Sequence, residues 1–201
     1  MFFLLTSYNM KTIMNFGAKI WDKSTRGKMA ETVRIAGLLK HSSVNGPGIR
    51  AVLFFQGCEH HCPFCQNPET WNREGGTETA ISSIIEEIRG IRYLDGLTLS
   101  GGDPFLQAEA AARIAASAKS LGLTVWCYTG YTFEELISEN APEGALQLLE
   151  NIDCLVDGKY VDSLRSESLL YRGSSNQRLI DAAESLATKL PKIYQNEGVS
   201  K

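Results

Sequence analysis

The chain has 201 residues with a formal net charge of −3; 43% are hydrophobic and 21% charged. That length suits one domain with a substantial core, or a compact domain with a tail. The near-neutral balance excludes a broad basic field for nucleic acid or for an anionic membrane surface.

Residues 1–28 scatter Lys11, Lys19, Lys23, Arg26 and Lys28 among Ser, Thr and Asn without sustained periodicity. They read as an N-terminal extension, flexible or preceding the true start, and the domain is assigned to residues 29–201. Phe2-Phe3-Leu4-Leu5 falls short of the roughly 7–15 apolar residues of a signal-peptide core. No segment approaches the ~20 apolar residues of a membrane helix. The five cysteines are an odd number, and three of them lie too close together for a secreted disulfide framework. Reduced thiols and a cytoplasmic location are therefore expected.

From Ile49 onward, strand-like and helix-like pieces alternate. Ala51-Val52-Leu53-Phe54-Phe55 is a continuous apolar run, as in a parallel strand buried on both faces. Ile81, Ile84, Ile85 and Ile88 fall at helical spacing. Gly96-Leu97-Thr98-Leu99-Ser100 predicts a second strand, and Pro104 opens an Ala-rich helix reaching about Ser120. Leu123-Thr124-Val125-Trp126-Cys127 predicts a third strand. Thr132 and Glu135 are spaced for a capping box. Residues 143–150 read as helix and Ile152-Asp153-Cys154-Leu155-Val156 as a fourth strand, while residues 179–194 are ambiguous. This alternation argues for an α/β fold with a parallel sheet. The loops after the first three strands carry the unusual residues, at the edge where parallel sheets bind ligands.

The first of those loops is Cys58-Glu59-His60-His61-Cys62-Pro63-Phe64-Cys65. Three thiolates leave a four-position metal site one ligand short, and an open position suits chemistry better than scaffolding. A zinc site normally pairs its ligands, and no second pair exists here. His60 and His61 remain as completing ligands for zinc, although their position between two cysteines reads as loop filler. Thioredoxin-like use of Cys62 and Cys65 would ignore Cys58. Cys127 and Cys154 stand alone on predicted strands and read as buried structural thiols. Trp71 and Trp126 read as core aromatics.

C-x3-C-x2-C is the cluster motif of the radical S-adenosylmethionine enzymes, which this chain resembles. The resemblance implies that Cys58, Cys62 and Cys65 hold a [4Fe–4S] cluster, with S-adenosylmethionine chelating the fourth iron. It implies that Phe64, Cys65 and Gln66 line the adenine side. Ser100-Gly101-Gly102-Asp103-Pro104 matches the family's Gly-Gly-Glu element, which places Gly102 near the methionine moiety. The aspartate is one methylene shorter than the usual glutamate, so the backbone contact at Gly102 is preferred to the carboxylate. Thr129, within Tyr128-Thr129-Gly130, is a further candidate contact. The implied chemistry is reductive cleavage of the sulfonium to a 5′-deoxyadenosyl radical, so no side chain is assigned as acid or base.

Asn45-Gly46-Pro47-Gly48-Ile49-Arg50, Phe54-Phe55-Gln56-Gly57-Cys58 and Asn67-Pro68-Glu69-Thr70-Trp71 narrow the resemblance to the glycyl-radical-enzyme activases. The N-terminal half is similar to pyruvate formate-lyase activases. The C-terminal half, with Leu155-Val156-Asp157-Gly158-Lys159-Tyr160-Val161 and Tyr171-Arg172-Gly173-Ser174-Ser175-Asn176-Gln177-Arg178, resembles the activases of anaerobic ribonucleoside-triphosphate reductase. The resemblance spans residues 40–181. It implies an incomplete (β/α) barrel of radical S-adenosylmethionine type, open on one side. It also implies the reductase as protein partner and a reduced flavodoxin-like electron donor. Gly46-Pro47-Gly48 and Arg50 read either as shaping the mouth of the site or contacting the partner loop, or as a turn into the first strand. By composition, Asp157-Gly158-Lys159 and residues 172–178 are surface loops, while the resemblance implies partner recognition or site closure. Other readings are a pyruvate formate-lyase-type activase, or a non-catalytic iron–sulfur carrier or zinc module.

Overall fold

The computed structural model describes residues 31–195, so the reading of residues 1–28 as an extension lies outside the described residues. Seven strands form one open sheet in the order β3-β1-β2-β4-β5-β6-β7. They are β1 (Thr32–Ser42), β2 (Arg50–Phe55), β3 (Thr77–Ala80), β4 (Gly96–Gly101), β5 (Thr124–Tyr128), β6 (Cys154–Asp157) and β7 (Arg178–Asp181). The helices are α1 (Ile81–Gly90), α2 (Ala108–Ser120), α3 (Phe133–Leu136), α4 (Ala145–Leu149) and α5 (Ala182–Thr188). The open α/β architecture expected from the sequence is borne out.

One correction concerns strand direction. β2, β4, β5 and β6 run parallel, but β1 pairs antiparallel with both β2 and β3, and β7 pairs antiparallel with β6. The parallel sheet is therefore the centre only. β1 has no clear strand signature because its register shifts between Ile35 and Gly37 and again between Leu39 and Ser42. Each irregularity resets which side chains face the core, so the period-two pattern never accumulates.

The central strands read as unbroken apolar runs because both faces are covered. Ala51, Leu53, Phe55, Leu97, Leu99, Val125, Cys127 and Leu155 pack with α1, α2 and α4 in the main core. The alternate residues Trp126, Cys154 and Val156 face the other way, against Tyr128, Tyr171, Leu179 and Tyr194. Thr132 caps α3 with the full reciprocal capping box to Glu135. The ambiguous tail resolves into β7 and α5.

Although Asn45 lines the cavity beside the cysteine loop, Arg50 corrects the reading of its own side chain as part of the mouth. It lies at the start of β2, fully buried, with no carboxylate among its hydrogen-bond partners. Its guanidinium donates to the Thr98 hydroxyl (2.7 Å), the carbonyls of Pro47 (3.3 Å), Leu97 (2.7 Å) and Thr124 (2.9 Å), and the Thr124 hydroxyl (2.9 Å). It also lies 5.6 Å from the Trp126 ring centre, within cation–π range. Burial pushes its pKa down to about 10, so it stays charged at neutral pH. Arg50 ties the N-terminal ends of β2, β4 and β5 together, at the opposite end from the cysteine loop.

Candidate active site

The three special loops meet. A cavity of about 420 Å³ is lined by Cys58, Cys62, Cys65, Gln66, Gly101, Gly102, Thr129 and Gly130, among others. It therefore collects six of the seven candidate residues. The seventh, Phe64, is outside the lining, 78% exposed, and adopts φ 59°. Such a backbone is uncommon for a bulky residue. It lets Cys62 and Cys65 turn back toward each other, with the Cys65 amide donating to the Cys62 carbonyl at 3.1 Å.

The cysteine loop is held at both ends. The Gly57 amide donates to Thr70 O (2.7 Å) and the Cys58 amide to Trp71 O (3.2 Å). Buried Gln56 donates from its side chain to the carbonyls of Glu69 (3.0 Å) and Asn72 (2.7 Å). The residues Gln56 and Asn67-Pro68-Glu69-Thr70-Trp71 are thus two halves of one brace. Next to it, the Asp103 amide donates to Gly57 O and the Gly102 amide to Phe55 O, both at 2.8 Å. Gly102 lies so close to Gly57 that a Cβ there would strike the Gly57 carbonyl, which explains the glycine.

The three thiols do not gather onto one point. Among the described residues, no three His, Cys, Asp or Glu side chains converge closely enough to hold a single metal ion. Burial pushes the thiol pKa up at Cys58 and at Cys62. Both are therefore protonated at neutral pH, and metal uptake must release protons.

Three side chains sit where the sequence did not place them. Thr129 is buried, and its hydroxyl donates to Asp103 Oδ2 at 2.8 Å rather than presenting itself to the cavity. Asp103 is fully buried and is not among the lining residues. His60 is no loop filler: its Nε2 lies 2.7 Å from Asp103 Oδ2. The sequence offered no signal for this pair, because 43 residues separate its members.

Part of the cavity wall comes from the two segments that read by composition as surface loops, as their reading in site closure expects. Gly158, Tyr160, Gly173 and Gln177 line the cavity. Gln177 accepts from the amides of Gly173 (2.8 Å) and Ser174 (3.2 Å) and donates to Gly158 O (3.0 Å). Asp157 is buried, accepting from the Phe133 amide at 2.8 Å and from Arg178 Nε at 3.0 Å. The hydrogen bonds that Arg178 donates to the Asp157 and Glu134 carboxylates hold its pKa above the ordinary value. Polar side chains here satisfy buried backbone instead of facing water.

The remaining thiols are elsewhere. Cys127 and Cys154 are fully buried, and burial raises the pKa of both. We expect Cys127→Ser and Cys154→Ser each to keep the iron and sulfide content of the wild type. Both should lower the urea midpoint, since a hydroxyl is desolvated in an apolar site. Iron analysis beside a denaturation curve checks this, and loss of iron in either variant would make that thiol a ligand.

Residues 44–180 match a family model described as a 4Fe-4S single cluster domain. Three curated relatives share the name anaerobic ribonucleoside-triphosphate reductase-activating protein. That of Salmonella typhimurium is 40% identical over 143 residues, 67% of this chain and 89% of the relative. That of Escherichia coli K12 is 40% identical over 144 residues, with the same coverage. That of enterobacteria phage T4 is 37% identical over 142 residues, covering 68% and 86%. The chain belongs to this family of reductase-activating proteins. Among solved structures, QueE from Escherichia coli aligns with 63% of this chain and 70% of its own, at a TM-score of 0.39 and 13% identity. That likeness is too slight to argue from. The family match starts inside the loop before β2 and ends within β7, so it takes in all the cavity-lining residues named above.

Proposed function

We propose that this protein is a radical S-adenosylmethionine activase that generates the glycyl radical of an anaerobic ribonucleoside-triphosphate reductase. The observation that carries this reading is the shared cavity: three thiols and the Gly101-Gly102 backbone line one space, in a chain whose relatives bear the activating-protein name. Cys58, Cys62 and Cys65 would hold a [4Fe–4S] cluster. Three soft sulfur donors lining one cavity suit a cluster whose irons each take their own thiolate. Cys65, Gln66 and exposed Phe64 would flank the adenosine part, and the Gly102 backbone the methionine part. With its hydroxyl committed to Asp103, Thr129 would contribute through its position in the wall.

When bound, the reduced cluster and cofactor supply one-electron cleavage of a sulfonium and removal of a hydrogen atom from a glycine. The protein's own residues orient and enclose. The Gly158 to Gln177 segment, tied down by Gln177, gives the cavity a fixed wall. Val44 lines the cavity and is exposed to solvent, and a glycine-bearing loop would enter from that side. No helix among the described residues is long and apolar enough to cross a membrane. Reduced, iron-binding thiols fit the cytoplasm, and a reduced flavodoxin-like protein fits the need for single electrons. The catalytic unit is assigned to residues 29–201, with residues 1–28 as an extension.

The test is anaerobic. The protein is reconstituted with iron and sulfide, reduced, and mixed with S-adenosylmethionine and the reductase, and the reductase is examined by electron paramagnetic resonance. A glycyl radical is expected, with 5′-deoxyadenosine formed alongside. A radical formed only on a formate-lyase-type enzyme would reassign the partner. Electron cycling with no cofactor consumption would make the protein a carrier, and colourless, zinc-loaded protein would make it a zinc module.

A further inference from the structure

Asp103 occupies the motif position whose side chain would be aimed at the cofactor, yet it has no capacity left for one. Its carboxylate accepts from the Phe105 amide at 2.9 Å, the Gly130 amide at 3.0 Å and the Thr129 hydroxyl at 2.8 and 3.1 Å. His60 Nε2 completes the set at 2.7 Å. A carboxylate offers about four lone-pair sites, and four donors fill them. Because a carboxylate in this company only accepts, Nε2 of His60 must carry the hydrogen, which assigns its tautomer.

The donors come from three loops. Phe105 follows Asp103 itself, Thr129 and Gly130 follow β5, and His60 lies between Cys58 and Cys62. Its side chain is only 10% exposed. Its ring meets Tyr131 edge-on, with centroids 4.7 Å apart, and lies over Gly130 so closely that a Cβ there would enter the imidazole. The other side-chain links of this stretch are less buried: Glu59 to Arg73 lies at the surface, and the exposed His61 ring meets half-buried Trp71 edge-on without a hydrogen bond. Exposed links of this kind stabilise little. His60 therefore gives the first half of the cysteine loop its one buried side-chain anchor among the described residues.

We propose that His60 and Asp103 are positioning residues that latch the cysteine loop to the loops after β4 and β5. They fix the thiols relative to Gly102 before any iron arrives. The proposal rests on reading the three cysteines as cluster ligands. Outer partners that orient ligands commonly change metal affinity by about 10–100-fold when removed, and a preformed site depends on such support.

The test compares wild type with His60→Ala and His60→Gln; glutamine can offer an N–H at the position of Nε2. The first measurement is hydrogen exchange on the iron-free protein, read across residues 58–66. His60→Ala should exchange faster there while β2 and β4 stay unchanged, and His60→Gln should lie near wild type. The second is loss of iron to a chelator from reconstituted protein, expected about tenfold or more faster in His60→Ala and largely restored in His60→Gln. The third is the change that S-adenosylmethionine induces in the paramagnetic resonance spectrum of the reduced cluster, expected to weaken only in His60→Ala. Wild-type behaviour of His60→Ala in exchange and in iron loss would overturn the latch. Equal defects in both variants would also overturn it, leaving ring packing as the cause. If wild type takes up no iron, the ligand reading fails while the exchange comparison still decides the latch.

Discussion

Replacing Cys58, Cys62 or Cys65 singly by alanine is expected to remove all measurable cofactor cleavage. The three thiols supply every protein ligand in the proposed cluster, and among the described residues no other thiol lines the cavity. His60, the nearest candidate, is spent on buried Asp103. Cys127 and Cys154 are sealed in the two cores. A missing thiolate therefore leaves an iron open to solvent and the cluster prone to loss. Iron and sulfide content, the visible absorbance of the reconstituted protein and 5′-deoxyadenosine yield check this. Each should fall to background while the far-ultraviolet circular dichroism stays unchanged, because the loop lies outside the sheet. Retained turnover in any one variant would remove that residue from the ligand set.

The second large effect is on stability. Arg50→Met should cost about 3–5 kcal/mol, measured by urea unfolding of the iron-free protein. It strips hydrogen bonds from buried carbonyls and hydroxyls, each worth about 1–3 kcal/mol when left unsatisfied, and only partly fills the space of the guanidinium. For a domain of this size the midpoint temperature should drop by roughly 10 °C. Arg50→Lys should recover little, since a single ammonium offers three donors and cannot span β2, β4 and β5 as the planar fork does. A loss below about 1 kcal/mol for Arg50→Met would show that water replaces the guanidinium at no cost, and would end the view of Arg50 as the tie at that end of the sheet.

What was legible in the sequence was local. β2, β4 and β5 announce themselves because burial on both faces demands unbroken apolar runs, and the Thr132 to Glu135 box is read from two positions. The cysteine spacing and the Gly101-Gly102 turn mark the rim for the same reason. What stayed hidden depends on distant partners. β1 loses its alternation at two register shifts. Gln56, Asp157 and Gln177 look like ordinary polar residues, but each becomes a brace only when the backbone it serves is folded around it. The direction of the Asp103 side chain follows from the path of the loop after β5, which no spacing within its own motif encodes. A buried Gln or Asp beside an invaginated glycine is the sort of signal that a sequence alone does not display.

The margins of the sheet limit how another protein can approach. β3, at one margin, is four residues long and carries Thr77-Glu78-Thr79-Ala80, with Glu78 engaged by the Thr32 hydroxyl and by Arg34. At the other margin, β7 is already accompanied by the chain that follows α5: the Asp181 amide donates to Lys192 O and the Tyr194 amide to Leu179 O, both at 2.8 Å. A short charged strand and an occupied one give an incoming strand little to zip onto. Recruitment by strand addition is therefore disfavoured, and a visiting chain has to present its glycine as a protruding finger at the thiol-bearing end, without first becoming part of the sheet.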